Sequence, residues 1–185
     1  PLLKCRFPLY FENYKTSGLK VAELATKMGL SWDVSGYEVL PNWKPCLAYS
    51  QPDGFDLYAS NFRVPMHSQS QTASNPWLGE VARLNPYAQR ILINKTTATK
   101  KGISDGDKVC VESKVGKVTG IARLTECIHP ETVGISSHFG GWAKGRRQPS
   151  GWATNFNCLL PFDLEHLDTI SGGVDACVRV RVSRV

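Results

Sequence analysis

The chain has 185 residues, of which 42% are hydrophobic and 21% are charged. Such a composition supports one sizeable core and excludes a disordered, collagen-like or coiled-coil chain. The 22 Lys and Arg residues outnumber the 16 Asp and Glu residues, so the formal net charge is +6, which suits a polyanion, a membrane surface or a phosphate-bearing ligand, or serves solubility alone.

The first residues, PLLKCRFPLY, contain neither an initiator Met nor the layout of a signal peptide. No apolar run in the chain reaches the length of a bilayer-spanning helix. We therefore expect one compact domain with a leading appendage, belonging to a fragment or a processed piece of a longer chain.

The six cysteines are spaced too widely for a zinc knuckle or an iron–sulfur motif, because none of them forms a CxxC pair. Free thiols in apolar surroundings are expected for most of them, and a disulfide framework is the alternative. The cysteines leave the cellular compartment open. They are Cys5, Cys46, Cys110, Cys127, Cys158 and Cys177.

Residues 1–54 contain one helical pattern followed by proline-rich connections. In LKVAELATKMGL, residues 19–30, apolar residues recur near helical spacing, and Gly29 is placed to end the helix. The prolines that follow favour an irregular connection. We predict that residues 1–54 precede a separate domain formed by residues 55–185.

The rest of the chain is mainly a pattern of short strands and turns. Phe55–Phe62 and Arg90–Asn94 are predicted strands. Between them lies a polar stretch, His67–Asn75, in which no apolar residue is large enough to anchor a loop. Thr96–Lys101 is predicted to form a helical turn that ends in a left-handed cap at Gly102.

A hairpin is predicted directly after this helical turn. Ser104–Asp107 has the composition of a tight turn, and Val109 and Val111 alternate on one face of a strand. Val115 and Gly116 then turn the chain back into a second strand.

Two further strands are predicted, at Val133–Ser136 and Cys177–Val182. In the second of these, valines alternate with Arg179 and Arg181, so the valines face one way and the arginines the other. Many short strands with little helix predict a mainly β fold that closes into a barrel.

The motifs occur in an order that resembles the molybdopterin-dinucleotide-binding domain of the dimethyl sulfoxide reductase family, which is the C-terminal domain of those enzymes. The similarity runs from about Phe55 to the C-terminus, through HSQSQTASNPWL, RILINKTTATKKGISDGDKV, SSHFGGW, NFNCLL and DTISGG to the strand VRVRV. The order and spacing of these motifs make the resemblance specific, although each motif alone is weak.

The resemblance implies a double-psi β-barrel with short helices, in which a Gly-Asp turn lets two crossing loops pack closely. Gly102, Gly106 and Asp107 are therefore expected to build the barrel rather than take part in chemistry. Residues 1–54 resemble, more loosely, the segment that precedes this barrel in the same enzymes. Glu131 is a departure, because the family commonly has glycine there, and the geometry of that turn is open.

The polar stretch after the first strand is the first candidate for cofactor contact. Pterin rings present amide-like and amino edges that Ser, Gln, Asn and His can pair with, and Arg can neutralise phosphate. Composition alone favours a solvated loop, whereas the resemblance implies cofactor contact through an Arg-x-x-x-His-polar pattern. The residues of that pattern are Arg63, His67, Ser68, Gln69 and Ser70.

Two later motifs supply the remaining candidates. The resemblance places Asn157, in NFNCLL, at a position whose amide contacts a pterin in relatives, and Asn155 competes with it for that role. His138, Gly140 and Gly141 stand where the chain passes the cofactor, and glycine permits close backbone approach. His138 is equally readable as a structural histidine.

We assign no catalytic residue and no metal ligand to this chain. No serine lies in Gly-x-Ser-x-Gly, and the four histidines lack metal-ligand spacing. The resemblance implies a bis-molybdopterin guanine dinucleotide cofactor with Mo or W, with the metal ligand and any iron–sulfur cluster in upstream parts of the catalytic subunit. The implied partners are the rest of that subunit, an iron–sulfur electron-transfer subunit and a membrane anchor subunit.

We predict that the chain is the C-terminal cofactor-binding module of a molybdenum or tungsten oxidoreductase. It most resembles the thiosulfate, polysulfide and tetrathionate reductase side of the family, which implies a sulfur compound or an oxyanion as substrate. Arsenic oxyanion, formate and non-redox hydration chemistry stay open. We expect a periplasmic or membrane-associated complex rather than a cytoplasmic enzyme.

Two other classes of function are alternatives. One is a cofactor-free barrel that acts as a scaffold in an electron-transfer complex, which would not need the donors at Arg63 and His67–Gln71. The other is a basic barrel that binds nucleic acid, which needs exposed aromatic residues among basic ones. Trp142 and Trp152 beside Lys144–Arg147 are the one hint of this, and a solvated loop explains them as well.

Overall fold

A computed structural model describes residues 11–40, 43–50, 54–140 and 154–185. The chain divides into two compact units. The first is drawn from Pro1–Cys46 and Phe162–Val174, and the second from Leu47–Pro161 and Asp175–Val185. Within the described ranges, no helix is long and apolar enough to cross a membrane.

The first unit contains helix α1, Phe11–Lys27, which confirms the predicted helix. It ends in a Schellman cap at Gly29, whose φ is +68°. The Gly29 N–H donates to the Thr26 carbonyl at 3.1 Å, and the Leu30 N–H donates to the Ala25 carbonyl at 2.9 Å. Ala25 is buried, whereas Leu19 is 67% exposed, so most of the apolar stripe lies at the surface.

The second unit is a closed barrel of six strands in the order β1-β5-β2-β4-β3-β6. Neighbouring strands are parallel in the pairs β1 with β5 and β2 with β4 and antiparallel in the other pairs. This is the predicted double-psi β-barrel. The strands are β1 Leu57–Phe62, β2 Ile91–Asn94, β3 Lys108–Glu112, β4 Lys117–Thr125, β5 Thr132–Ser136 and β6 Cys177–Arg184, and the helices of this unit are α2 Pro76–Leu84 and α3 Lys95–Lys100.

The barrel interior is filled by β-branched side chains that alternate along the strands. The largest fully buried side chains on the strands are all Val or Ile, and such residues fit a pleated, half-buried surface. They are Ile91, Ile93, Val109, Val111, Val133, Ile135 and Val180.

Strand β6 shows the predicted alternation, and one of its two alternating arginines is buried. Arg179 faces away from Val180, yet it is only 7% exposed. Its guanidinium carbon lies 4.1 Å from the centre of the Tyr58 ring, and its Nε donates to the Phe55 carbonyl at 3.2 Å. Arg179 is therefore buried by an aromatic side chain of the neighbouring strand β1.

Helix α3 ends in the left-handed cap that the sequence predicts. Gly102 has a φ of +65°, and its N–H donates to the Thr99 carbonyl at 3.1 Å. The Ile103 N–H donates to the Ala98 carbonyl at 2.9 Å, and the Ile103 side chain is buried. These paired hydrogen bonds and the apolar contact define a Schellman motif.

The Ser104–Asp107 turn connects this cap to strand β3. Gly106 has a φ of +86°, and the Ser104 N–H donates to Asp107 Oδ2 at 2.8 Å. The Gly106 N–H donates to the Ala122 carbonyl at 3.0 Å, and the Ala122 N–H donates to the Asp107 carbonyl at 2.8 Å. The turn is thus joined to β4, which supports a structural role for Gly106 and Asp107.

The turn around Glu131 forms without a glycine. The Thr132 N–H donates to the His129 carbonyl at 2.9 Å, and the Glu131 N–H donates to His129 Nδ1 at 3.2 Å. Glu131 is not among the residues with positive φ. An ordinary side chain therefore fits this position.

The predicted free state is confirmed for three thiols, although the exposed Cys127 departs from the expected apolar surroundings. Cys110, Cys127 and Cys158 carry free thiols. Cys127 is exposed, whereas Cys110 and Cys158 are half-buried. Cys5 lies outside the described residues.

We expect Asp107→Ala to lower the free energy of unfolding by about 1–2 kcal/mol, because the Ser104 N–H loses a charged acceptor. Urea unfolding followed by circular dichroism measures this loss. Glu80→Ala is the control, since this exposed side chain on α2 makes no hydrogen bond or ion pair in the described structure, and it should change stability by less than about 0.5 kcal/mol. An unchanged midpoint in Asp107→Ala would contradict the structural role.

Candidate functional site

The candidate site begins where two parallel strands end together. Strands β1 and β5 are paired so that Phe62 lies opposite Ser136. The next residue of β5's chain, Ser137, donates to the Phe62 carbonyl from its backbone N–H at 2.8 Å and from its hydroxyl at 3.1 Å. Arg63 and His138 therefore leave the barrel side by side.

A polar cavity of about 510 Å³ opens at this edge, within the range of roughly 300–1,000 Å³ that is typical of small-molecule sites. Among its described lining residues, Arg63 is the one formally charged side chain, and none is a carboxylate. The lining residues are Asn61, Arg63, Gln69, Ser70, Ser136, Ser137, His138, Phe139, Asn155, Phe156, Asn157 and Ala176.

The structure brings most of the predicted site residues into this one cavity. Their elements are far apart in the chain and meet because the barrel closes. Arg63, Gln69, Ser70, His138, Asn155 and Asn157 line the cavity, whereas His67, Ser68 and Gly140 do not. Gly141 lies outside the described residues.

The polar loop is held in place by Thr72 and by the buried His67 and Ala73, although its composition predicts no anchoring residue. Its residues Gln69–Thr72 form a short 3₁₀ helix. Thr72 Oγ1 accepts the Ser68 N–H at 2.9 Å and lies 3.2 Å from His67 Nδ1. His67 and Ala73 are buried. His67 and Ser68 thus hold the loop through their contacts with Thr72. Gln69 and Ser70, in the 3₁₀ turn, line the cavity.

Two residues on the cavity wall hold a strained backbone. Gln69 has a φ of +54° and His138 a φ of +88°, and they are the non-glycine residues with positive φ in the part of the chain that the structure describes. Such conformations cost on the order of 1–3 kcal/mol each and cluster at ligand sites. Both residues line the same cavity.

The two histidines lie close together near Arg63, where His67 is buried and His138 is half-buried. The ring centres of His67 and His138 are 6.2 Å apart, and the Phe139 ring packs edge-on to His67 at 5.2 Å. The Nε2 atoms of His67 and His138 are buried and have no hydrogen-bond partner among the described residues. A buried polar atom without a partner costs about 1–3 kcal/mol, which for His138, the one of the two that lines the cavity, points to a ligand that pairs with Nε2.

Burial favours the neutral form of both imidazoles. The pKa of His67 is lowered below the ordinary 6.5, first by burial and then by the charge of His138. The pKa of His138 is lowered first by burial and then by the nearby Arg63 guanidinium. Backbone hydrogen bonds with Thr72 and Gln69 oppose these effects. Neutral rings can each accept one hydrogen bond and donate another.

The two asparagines of the NFNCLL motif have different surroundings. Asn155 Oδ1 accepts the Asn157 N–H at 3.1 Å and so caps the 3₁₀ helix Phe156–Leu159. The Asn157 side chain is exposed at the cavity and makes no hydrogen bond within the described residues. The donors and the acceptor of the Asn157 amide are therefore available to a ligand, whereas the Asn155 side-chain oxygen already accepts a hydrogen bond within the turn.

Gly140 has a role that the sequence does not reveal. Its φ is +79°, and a Cβ there would lie 2.4 Å from the backbone nitrogen of Asn155. The close approach that requires glycine is therefore to the protein chain that forms the cavity wall. Gly140 supports the wall and does not line the cavity.

Several lining residues were not predicted. Asn61 lies on a predicted strand, and Ser136 and Ser137 stand inside the SSHFGGW motif, so their motifs were the available signal. Thr72, which holds the polar loop through its hydroxyl, has no feature in the sequence that would have predicted this role. The unpredicted lining residues are Asn61, Ser136, Ser137, Phe139, Phe156 and Ala176.

The described residues contain no group of three or more His, Cys, Asp or Glu side chains that could hold a metal ion. The basic cluster Lys144–Arg147, with Trp142 and Trp152, lies outside the described residues.

A double-psi barrel with a carboxylate-free, basic and amide-rich cavity at its strand ends defines a module that binds a polar, anionic small molecule. The match to the family described as "Molydopterin dinucleotide binding domain" covers residues 57–175. The chain belongs to this molybdopterin dinucleotide-binding family.

Curated relatives come from molybdopterin-containing subunits. The chain is 27% identical over 154 residues to the arsenate respiratory reductase molybdopterin-containing subunit ArrA of Shewanella sp. (strain ANA-3), covering 79% of this chain and 18% of that protein. It is 28% identical over 130 residues to the thiosulfate reductase molybdopterin-containing subunit PhsA of Salmonella typhimurium, covering 70% of this chain and 16% of that protein. The chain thus spans less than a fifth of these relatives.

A solved structure has the same fold. Acetylene hydratase from Pelobacter acetylenicus aligns with a TM-score of 0.63 at 19% identity, over 88% of this chain and 22% of that chain. The likeness supports the barrel assignment.

We expect the stability of the protein to fall as the pH drops below about 6.5, the ordinary histidine value. The unfolded chain takes up protons there, while His67 and His138 stay neutral until their lowered pKa values are reached. Urea unfolding between pH 7.5 and 5 measures this slope, and His67→Gln should reduce it.

Asp105→Asn is the control for this slope. The Leu124 N–H holds the pKa of Asp105 below its ordinary 3.8, so this carboxylate titrates below the measured range. The slope between pH 7.5 and 5 should therefore be the same as in the unchanged protein. An unchanged slope in His67→Gln would contradict the neutral pair.

Proposed function

We propose that this chain is the cofactor-binding module of a molybdopterin-dependent oxidoreductase and that its cavity receives part of a molybdopterin guanine dinucleotide. The observation that carries the proposal is the cavity at the ends of β1 and β5, where Arg63 and several amide and hydroxyl groups converge. Membership of the molybdopterin dinucleotide-binding family supports it.

The residues present fit this group in charge and in hydrogen bonding. Arg63 can neutralise a phosphate, and no lining carboxylate opposes it. The unpartnered Nε2 of His138 and the Asn157 amide match a ligand that carries both N–H donors and carbonyl acceptors. The volume suits one end of the dinucleotide rather than the whole of it.

Each side chain has a defined task in this proposal. Arg63 holds the anionic part, and Asn157, Gln69 and Ser70 hydrogen-bond the polar edges. The strained backbone of His138 fixes its ring at the cavity edge. When bound, the cofactor supplies the redox chemistry through its metal and dithiolenes, and this chain supplies position and electrostatics.

We propose that the whole enzyme acts on a sulfur compound or an oxyanion and that its metal is Mo or W. Relatives named as an arsenate reductase and a thiosulfate reductase support this substrate class. Because the chain spans 18% and 16% of those two proteins, the proposal places the metal ligand and any iron–sulfur cluster in the rest of the catalytic subunit. It adds an iron–sulfur subunit, a membrane anchor subunit and a periplasmic or membrane-associated location.

We expect Asn157→Leu to lower the pterin content of the enzyme assembled around this chain. The change keeps a similar volume but removes the donor and the acceptor, and each unmatched polar edge costs about 1–3 kcal/mol. Pterin is measured after oxidative extraction, and circular dichroism checks the fold. Asn13→Leu, the same change at an exposed position of α1, should leave the pterin content intact. Full occupancy in Asn157→Leu would remove Asn157 from the site.

The purified 185-residue chain should show no turnover of thiosulfate or arsenate. Its residues orient a cofactor, while the proposal assigns the metal ligand and the electron path to other parts of the enzyme. A reduced viologen dye as electron donor makes turnover visible as loss of colour. Turnover by the chain alone would overturn this division of tasks.

A further inference from the structure

The tip of the β3–β4 hairpin contacts residues 154–160, the segment that carries Asn157 and forms one wall of the cavity. This segment is called the wall below. A Cβ on Gly116 would lie 2.2 Å from the backbone oxygen of Cys158, which is closer than any real side chain allows. Gly116 does not have a positive φ, so its backbone conformation is open to other residues. Glycine is therefore required at position 116 by the neighbouring wall and not by the turn.

A buried serine fastens the same two segments together. Ser113 Oγ donates to the Leu159 carbonyl at 2.8 Å and accepts the N–H groups of Val115 and Gly116, each at 3.3 Å. Ser113 is only 4% exposed. One hydroxyl thus shapes the hairpin tip and ties it to the end of the Phe156–Leu159 helix.

The beginning of the wall is held by strand β4. Thr154 Oγ1 donates to the Thr119 carbonyl at 3.0 Å, and a Cβ on Gly120 would lie 2.5 Å from that hydroxyl oxygen. The wall is therefore attached to one hairpin on both sides of Asn157.

We propose that the β3–β4 hairpin is a positioning device, in which Ser113 and Gly116 set the place of the Asn157 amide in the cavity. The effect on a ligand rests on the proposed function, whereas the effect on the wall does not. Because the Asn157 side chain makes no hydrogen bond within the described residues, its location depends on the backbone that carries it. A Cβ atom added at position 116 would displace the backbone of Cys158, the residue that follows Asn157.

Gly106 provides a matched control within the same hairpin region. Its φ is +86°, and a Cβ there would meet nothing within 4 Å. Gly106→Ala therefore strains a turn without touching the wall, whereas Gly116→Ala displaces the wall without straining the turn. Comparing the two separates displacement of the site from general loss of stability.

The first measurement uses the isotope-labelled 185-residue chain without ligand. We expect Gly116→Ala to shift the backbone amide signals of Asn157, Cys158 and Leu160 and to speed their hydrogen exchange, whereas Gly106→Ala leaves them in place. Ser113→Ala removes the Leu159 bond without adding an atom, and it tests the same link if Gly116→Ala does not fold. Unshifted wall amides in these variants would overturn the proposal.

The second measurement is a double-mutant cycle on the assembled enzyme, read as pterin content after oxidative extraction. Gly116→Ala should lower the content about fivefold in the native background and less than about twofold in the Asn157→Leu background, because the two changes act through one amide. Additive losses, or an equal loss in Gly106→Ala, would overturn the positioning role. If Asn157→Leu alone retains full pterin, the proposed ligand contact fails, and the amide signals still decide whether the hairpin positions the wall.

Discussion

The parallel pairing of β1 with β5 is the constraint on which the site depends. Parallel strands end at the same edge of a sheet, so Arg63 and His138 emerge together although 75 residues separate their chain positions. The double hydrogen bond from Ser137 to the Phe62 carbonyl fixes this arrangement. The polar loop and the asparagine turn are then arranged around an edge that the barrel has already defined.

The residues around the cavity lower the stability of the protein without a ligand, and this loss of stability indicates a binding site. Two non-glycine residues at its wall adopt positive φ, and two buried ring nitrogens lack partners among the described residues. Rigid surroundings are needed to keep such a state, and here Phe139, which packs against His67, belongs to a buried cluster with Val64, Ala82 and Ala88. A ligand that pairs with His138 Nε2 in the cavity binds more tightly, because the protein has already met the cost of this arrangement on folding.

Glycines around the cavity act by giving room to the protein itself. Gly140 and Gly116 approach the backbone of Asn155 and Cys158 from opposite segments of the chain. The wall that carries Asn157 is thereby held between close contacts, which limits its movement.

Local features followed from the sequence alone. The cap at Gly102, the Ser104–Asp107 turn and the β3–β4 hairpin depend on neighbouring residues, and the order of the motifs indicated the barrel and the family. Tertiary contacts decided which candidates line the cavity: His67 is buried against Phe139, and Ser68 is exposed outside the cavity lining. They also joined Gly116 to Cys158, because a contact between distant residues arises only when the barrel closes and leaves no periodic pattern in the chain.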